Sequence, residues 1–123
     1  MNRTVSIIIP TYNRCELLSK TIDSFLKINY PADLLEMIIV DNNSTDSTKN
    51  IVNEIKEQSK FPILYYLEEQ QGVHYARNSA AKIAKGEFLY YTDDDMVAEE
   101  DLISELLKVI SMDSQIGTAT GRV

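Results

Sequence analysis

Short apolar runs alternate along this chain with longer segments whose apolar residues recur at helical spacing. The short runs have the length of buried β-strands, and they cover Val5–Pro10, Met37–Val40, Pro62–Leu67, Phe88–Tyr91 and, near the end, Ile116–Thr120. The longer segments predict α-helices over Cys15–Lys27, from Ser44 through Ile55, over Val73–Lys85 and over Leu102–Ile110. This alternation is typical of an α/β protein.

Four residues are predicted to mark helix boundaries or a special backbone conformation. Ser44 is predicted to cap the amino end of the second helix, with Asp46 in a first-turn position that the helix dipole favours. Gly86 is predicted to cap the carboxyl end of the third helix. Gly72 permits a backbone conformation that is closed to other residues.

Strands and helices that alternate at this rhythm predict parallel βαβ units with right-handed crossovers. The first three strands are expected to follow one another outward from the first. Phe88–Tyr91 is apolar throughout, so we expect it to be buried, away from the sheet edge, on the other side of the first strand. The predicted sheet is mainly parallel in the order 3-2-1-4, with helices on both faces and a ligand crevice between strands 1 and 4.

Length and charge narrow the classes of protein. The chain has 123 residues, which is enough for one domain with a real core. Its net charge of −7, from 12 basic and 19 acidic residues, argues against nucleic-acid binding, which depends on phosphate neutralisation. No apolar stretch approaches the length of a membrane span, and the amino terminus lacks the apolar region of a signal peptide. We expect a cytoplasmic protein, with the inner face of the membrane as a site of action.

The chain has one cysteine, Cys15, and one histidine, His74. A single cysteine excludes an intrachain disulfide and a cysteine-rich metal site. A single histidine excludes a site with several histidine ligands.

Three consecutive aspartates, Asp93–Asp95, follow the apolar strand Phe88–Tyr91. Adjacent carboxylates repel one another and destabilise a fold unless a cation or strong donors compensate them. The simpler alternative is a solvated acidic loop at the start of the next helix. Because the triplet follows a buried strand, a divalent metal site is the favoured interpretation. The loops Thr11–Arg14 and Asp41–Ser44 are expected to meet it at the carboxyl edge of the sheet.

Signatures of other nucleotide sites are absent from the sequence. There is no G-x-G-x-x-G after the first strand and no G-x-x-x-x-G-K-[ST], which argues against dinucleotide-binding and P-loop proteins. Pro10–Asn13 stands where a receiver domain has an acidic pair and where a sugar nucleotidyltransferase has a glycine-rich loop with an arginine.

Five motifs occur in order along nearly the whole chain: V-S-I-I-I-P-T-Y-N-R at 5–14, Y-P at 30–31, I-I-V-D-N-N-S-T-D at 38–46, G-V-H-Y-A-R-N at 72–78 and D-D-D at 93–95. Together they resemble the N-terminal half of a family 2 glycosyltransferase with the GT-A fold. The resemblance implies a Rossmann-like, donor-binding domain over residues 1–123. It also implies transfer of a sugar, with inversion, from a nucleotide-diphosphate sugar, in particular a UDP-sugar, to a hydroxyl of a glycan, lipid-linked or protein acceptor. Mn²⁺ or Mg²⁺ is the implied cofactor.

The resemblance assigns most nucleotide contacts to two loops. Asp41 matches a carboxylate that meets the base, where it can accept the N3–H of uracil or thymine but should reject cytosine. The alternative role for Asp41 is a helix cap. Pro10, Thr11 and Tyr12 match a stretch that borders the base and ribose, although Tyr12 could equally pack at the edge of the core. Arg14 either approaches the nucleotide or stays solvated.

The remaining implied contacts lie on the third helix and in the acidic triplet. Arg77 matches a position near the base or diphosphate, with a surface ion pair as the alternative. The family pattern places Asp93 near the ribose and Asp95 on the metal and diphosphate, with Asp94 as a helper. Many relatives have glycine where this chain has Asn43, which tolerates the same left-handed geometry at modest cost.

The family's catalytic base is a carboxylate that we expect beyond Val123, so no catalytic residue is assigned in this chain. We interpret the chain as the donor-binding part of a longer glycosyltransferase, whose uncovered surface would favour self-association. If the base lies within the chain, Glu99, Glu100 and Asp101 are the first candidates. The alternative function is a non-catalytic nucleotide-sugar-binding or interaction module of the same fold.

Overall fold

The computed structural model describes residues 3–112, in which strands and helices alternate. The strands are β1 (Val5–Thr11), β2 (Leu35–Asp41), β3 (Ile63–Leu67) and β4 (Phe88–Tyr91). The helices are α1 (Cys15–Leu26), α2 (Thr48–Gln58), α3 (Val73–Ile83) and α4 (Leu102–Met112), and a single 3₁₀ turn, Ala32–Leu34, precedes β2. The strand expected at Ile116–Thr120 lies outside the described residues.

The four described strands form one parallel sheet in the order β3-β2-β1-β4, which confirms the predicted topology. β1 pairs with β2 over its whole length, from Val5 opposite Leu35 to Thr11 opposite Asp41. β4 pairs with the other side of β1. The strand order therefore reverses between β1 and β4, and the loops that follow these strands leave a crevice at the carboxyl edge of the sheet.

Both faces of the two central strands are buried, which explains their nearly continuous apolar sequence. On one face, Ile7 packs in a large cluster with Phe25 of α1 and with residues of α2 and α4. On the other face, Ile8 packs under Ala76 and Ala80 of α3. Each fully buried aliphatic or aromatic side chain stabilises the fold by about 1.5–3 kcal/mol. The predicted placement of helices on both faces is confirmed.

The start of α2 differs from the prediction that Ser44 caps it. The helix begins at Thr48, directly after Ser47. The amide of Thr48 donates to the Asp46 carboxylate at 3.1 Å, so Asp46 satisfies an amide that has no partner within the helix. The Ser44 hydroxyl instead accepts a hydrogen bond from the backbone amide of Asn13 at 2.9 Å.

No helix of residues 3–112 is long and apolar enough to cross a membrane.

The prediction that β4 is buried and away from an edge is wrong for the described sheet. β4 pairs with β1 on one side and has no described strand on its other side. Leu89 and Tyr91 are 38% and 39% exposed, while Phe88 and Tyr90 point to the other face and pack against the larger core cluster. Apolar composition alone thus overestimated the burial of this strand, because only one of its faces has a helical cover in residues 3–112.

Gly86 is also not the helix cap that the sequence predicted. α3 ends at Ile83 with Ala84 in the capping position, and Gly86 lies two residues further on. Its amide donates to the Ser6 hydroxyl at 2.8 Å, which brings its backbone against the start of β1. A β-carbon on Gly86 would lie 2.6 Å from the Ser6 nitrogen and 2.8 Å from the carbonyl carbon of Val5. The glycine is required because two backbones meet there.

We expect Gly86→Ala to lower the free energy of unfolding by about 1–3 kcal/mol, the usual cost of forcing extra atoms into a packed site. The clash is with backbone atoms of β1, which cannot rotate away. Urea denaturation measures the loss. Lys85→Ala is the control, because that side chain is exposed and its substitution leaves the backbone contacts intact. Equal stability of Gly86→Ala and the parent would contradict the close approach.

Candidate functional site

A cavity of about 390 Å³ opens at the carboxyl edge of the sheet, at the reversal between β1 and β4. Its walls come from the end of β1, the loop after it, the loop after β2, the start of α3 and the acidic triplet. The lining residues are Pro10, Thr11, Tyr12, Arg14, Asn42, Val73, Asp93, Asp94 and Asp95. Three loops that are far apart in sequence thus form one concave site, as the topology predicted.

The acidic triplet begins two residues after the end of β4 and enters a turn at Asp94 and Asp95. Thr92, Asp94 and Met96 are buried, whereas Asp93 and Asp95 between them are exposed. Asp93 and Asp95 both line the cavity, and the carboxylate between them is held inside the fold.

Asp94 is held inside the fold by neighbours from β1 and α1. Its carboxylate accepts a hydrogen bond from the Thr11 hydroxyl at 2.9 Å, and its backbone carbonyl accepts one from the Thr21 hydroxyl at 2.9 Å. The guanidinium of Arg14 lies 3.4 Å from the other carboxylate oxygen of Asp94 and 3.7 Å from Asp95. The sequence indicated a helper role for Asp94, and the structure makes it the residue that anchors the triplet to β1.

Asp41, the residue expected to meet the base, is 2% exposed and does not line the cavity. One carboxylate oxygen accepts the backbone amide of Ser44 at 2.8 Å, and the other accepts the phenol of Tyr65 at 2.5 Å. Burial and this hydrogen bond to Asp41 raise the pKa of Tyr65. Asp41 orders the turn after β2 and does not cap α2, whose amide partner is Asp46.

Arg77, the other predicted contact that does not line the cavity, lies on α3 with its guanidinium 5.7 Å from the centre of the Tyr91 ring. This is a cation–π distance, so the arginine rests on the exposed end of β4. Gly72, just before α3, has φ of +135°, which confirms the prediction of a conformation that favours glycine. His74 is exposed and stacks on the neighbouring Tyr75, with ring centres 4.0 Å apart.

Hydrogen bonds join the loop after β1 to the loop after β2. The backbone amide of Thr45 donates to the side-chain carbonyl of Asn13 at 2.7 Å, and the amide of Asn13 donates to Ser44. Asn13 and Asn43 have positive φ angles of 50° and 69°. The left-handed geometry expected of Asn43 is confirmed, and that of Asn13 had not been predicted. These two turns lie directly beside the lining residues Tyr12, Arg14 and Asn42 and hold the two loops together.

A single carboxylate, Asp46, serves the amino ends of both α1 and α2. It accepts the amide of Cys15 at 3.2 Å with one oxygen and the amide of Thr48 at 3.1 Å with the other. Burial raises the pKa of Asp46, but the hydrogen bonds from Thr48 and Cys15 outweigh it and hold the pKa below its usual value. The same carboxylate and burial raise the pKa of the Cys15 thiol, with burial the larger cause.

Sequence reasoning missed Asn42 and Val73 as lining residues of the cavity. Asn42 is only 6% exposed, although it follows β2 in a stretch of polar residues. The signal was its place directly after the last residue of a buried strand, the same place that drew attention to Asp41. Val73 is 53% exposed, and its place at the start of α3, just after Gly72, was the available signal.

Asp93 and Asp95 fit a divalent cation that is held partly by a bound diphosphate. No group of three or more His, Cys, Asp or Glu side chains within residues 3–112 has the arrangement of a complete protein metal site. Mg²⁺ and its analogues commonly take one or two carboxylates and complete their coordination with phosphate oxygens and water. Two exposed carboxylates in the lining of the cavity match this mode and not an all-protein cage.

Residues 6–122 match the family described as glycosyl transferase family 2, which is nearly the whole chain. The chain belongs to this family. It is 38% identical over 101 residues to poly(ribitol-phosphate) beta-glucosyltransferase of Bacillus spizizenii. The matched region covers 80% of this chain and 16% of that protein. It is also 33% identical over 117 residues to the putative teichuronic acid biosynthesis glycosyltransferase TuaG of Bacillus subtilis, in a match that covers 95% of this chain and 46% of that protein.

Solved structures confirm the GT-A fold. A mannosyltransferase from Pyrobaculum calidifontis, in complex with GDP-Man and Mn²⁺, matches 90% of this chain with a TM-score of 0.86 and 30% identity. S. aureus TarS in complex with UDP matches 89% with a TM-score of 0.80 and 29% identity. This chain spans about a third of each of these two structures, 33% and 32% of their lengths.

We expect Asp46→Ala to lower the free energy of unfolding by about 1–2 kcal/mol at neutral pH, the usual effect of losing a capping side chain. A carboxyl whose pKa is lowered by folding stabilises the protein above its unfolded pKa, and this contribution is lost as the pH falls through the folded pKa. The difference between variant and parent should therefore shrink on acidification. Urea denaturation across the acid range measures it.

Ser47→Ala is the matched control, since Ser47 precedes α2 but makes no side-chain capping bond in the described residues. A difference between Asp46→Ala and the parent that did not change with pH would show that the carboxylate charge is not responsible.

Proposed function

We propose that this chain forms the donor-binding part of an enzyme that transfers a sugar, with inversion, from a UDP-sugar to an acceptor hydroxyl. The observation that carries the proposal is the cavity at the strand-order reversal, which two exposed aspartates and the loop after β1 line. Open α/β sheets bind ligands at this position. The nucleotide sugars named with similar structures support the ligand class.

The lining residues divide into those suited to the nucleoside and those suited to the charged diphosphate. We assign Pro10, Thr11 and Tyr12 to the base and ribose, because Tyr12 is 47% exposed and offers an aromatic surface for contact. Asp93 is assigned to the ribose hydroxyls, for which a carboxylate is a good acceptor. Asp94 contributes through the position that it gives to its neighbours.

Asp95 is assigned to Mn²⁺ or Mg²⁺, and Arg14 to the diphosphate. A bound divalent cation would stabilise the negative charge of the leaving diphosphate. Arg14 supplies a second positive charge at the same wall, and at 53% exposure its side chain can turn from the aspartates toward a ligand. Arg77 is assigned to the base or diphosphate, and it would have to leave the Tyr91 ring to reach either. The base that activates the acceptor hydroxyl is expected outside this chain.

Asp41 is proposed to read the base, although it lies under the cavity surface. Each of its oxygens has one described donor, and a carboxylate oxygen can accept two. It can thus accept an additional N–H if a base enters deeply beside Asn42. An acceptor at this position suits the N3–H of uracil and also the N1–H of guanine, whereas the N3 of cytosine is itself an acceptor.

We expect UDP and dTDP to bind more tightly than CDP, by about tenfold or more, because the N3 of cytosine and the buried Asp41 carboxylate are both acceptors and would face each other with no hydrogen between them. Mn²⁺ or Mg²⁺ should increase the affinity for each nucleoside diphosphate. Calorimetry with UDP, dTDP, CDP and GDP, with and without metal, measures both effects, and GDP tests whether pocket size selects pyrimidines. Equal affinity for UDP and CDP would remove Asp41 from the base site.

We expect Asp95→Ala to abolish the metal-dependent part of the UDP affinity while the fold stays intact, because this carboxylate is half exposed and its described contact is a 3.7 Å ion pair with the exposed Arg14. Without ligand, the variant should be as stable as the parent or more so, since repulsion within the triplet is relieved. Calorimetry with Mn²⁺ and UDP, together with thermal unfolding, measures the two effects.

Two variants serve as comparisons for Asp95→Ala. Asp23→Ala removes the same charge from an exposed position on α1 and should leave binding unchanged. Asp94→Ala should instead lower folding stability, because Thr11 would lose its buried partner. If Asp95→Ala bound Mn²⁺ and UDP like the parent, the triplet would be a solvated helix start. Absence of any metal-dependent nucleotide binding in the parent would favour a non-catalytic interaction module.

A further inference from the structure

The side chain of Asn42 is buried and uses every polar atom on one short segment, residues 68–72, which connects β3 to α3 and is called here the β3–α3 loop. Its amide nitrogen donates to the carbonyls of Glu68 at 3.0 Å and Gln70 at 2.6 Å. Its side-chain carbonyl accepts the amide of Gly72 at 2.9 Å. The backbone carbonyl of Asn42 accepts the side chain of Gln71 at 2.7 Å.

These bonds take over where the ladder between β2 and β3 stops. The last backbone bond in register runs from the amide of Glu68 to the carbonyl of Asp41 at 2.8 Å. Beyond it, the segments that follow β2 and β3 are no longer paired by their backbones. The Asn42 side chain supplies the hydrogen bonds between them instead. A loop with these backbone groups unpaired would be costly to bury. One side chain therefore satisfies three backbone groups in a segment that has no regular structure, the carbonyls of Glu68 and Gln70 and the amide of Gly72.

The segment held by Asn42 ends at the beginning of α3, beside the cavity. Gly72 has φ of +135°, and the direction in which α3 leaves the loop follows from this conformation. Val73, the next residue, lines the cavity, as does Asn42 itself. The contact that fixes the loop is therefore part of the same wall of the donor cavity.

We propose that Asn42 is a positioning residue of the donor site, which holds the β3–α3 loop and the first turn of α3 at the distance from β2 that a nucleotide requires. Both donors of the Asn42 amide nitrogen are used within the protein, and its side-chain carbonyl already accepts the amide of Gly72. It acts through Gly72 and Val73, by shape. The nucleotide readout of this inference rests on the proposed donor function, whereas the readout on the loop does not.

Aspartate is the sharpest substitution because it has the same shape and lacks both donors. In Asn42→Asp the remaining oxygen can still accept the amide of Gly72, but the other oxygen faces the carbonyls of Glu68 and Gln70. Three acceptors then share a buried space. Protonation of the new carboxyl restores one donor, so the effect of the substitution on the β3–α3 loop should weaken as the pH falls.

The test compares Asn42→Asp with Asn53→Asp, which makes the same chemical change at an exposed position of α2. Hydrogen exchange of residues 68–76, expressed as protection relative to the unfolded chain, reports on the loop and the start of α3. Calorimetry with UDP and Mn²⁺ reports on the cavity. We expect Asn42→Asp to lower both protection and affinity about tenfold, as for loss of a buried hydrogen-bond partner, while Asn53→Asp changes neither.

The pH dependence separates positioning by these hydrogen bonds from a general loss of stability. For Asn42→Asp, protection of residues 68–76 relative to the parent should recover as the pH falls from 7.5 toward about 5, since burial among acceptors raises a carboxyl pKa. A general destabilisation would lower and restore protection across the whole sheet and not only in residues 68–76. If Asn42→Asp does not fold, Asn42→Ala removes the donors without adding charge, and it should lower protection and affinity at every pH.

Two results would overturn the inference. Protection and affinity equal to those of Asn53→Asp would show that the loop needs no support from Asn42. Reduced protection with unchanged UDP affinity would show that the loop does not shape the donor cavity. If the parent itself bound no UDP with Mn²⁺, the proposed donor function would fall, and the exchange data alone would decide whether Asn42 holds the loop.

Discussion

The inward position of Asp94 is the constraint on which the geometry of the acidic wall depends. A carboxylate that is 6% exposed needs partners, and Thr11 on β1 supplies the buried one. The backbone carbonyl of Asp94 also accepts a hydrogen bond from Thr21 of α1, so the middle of the triplet is fixed to two elements at once. Asp93 and Asp95, on either side of it, are exposed and line the cavity. The acidic wall thus depends on the buried hydrogen bonds that hold the residue between them.

β1 is the element that makes these loops meet. It pairs with β2 on one side and β4 on the other, and both of its faces are covered. Its carboxyl end therefore lies between the loops that follow both neighbours. Ala76 and Ala80 add to this arrangement, because small side chains let α3 approach the sheet closely enough for its first residue to reach the cavity.

Elements that depend on local composition were predictable from the sequence, and contacts between distant segments were not. The strand order followed from apolar runs separated by amphipathic segments, and the positive φ of Asn43 followed from its residue type. Gly86 was misassigned because the need for glycine comes from its close packing against the backbone of β1, eighty positions earlier in the sequence. Asn42 was missed for the same reason, since its partners lie in the loop before α3. The cavity could be located from topology, but the structural roles of Asn42 and Asp94 required the fold.

Asp46 has a consequence for how this half of the domain moves. Because one carboxylate bonds the first amide of α1 with one oxygen and that of α2 with the other, neither helix can fray at its amino end without disturbing the contact to its neighbour. Local opening of the two helix starts is therefore a joint event and not two independent ones. The turns that carry Asn13 and Ser44 lie directly before these helices. The two loops beside the cavity and the first turns of both helices thus belong to one cooperative unit.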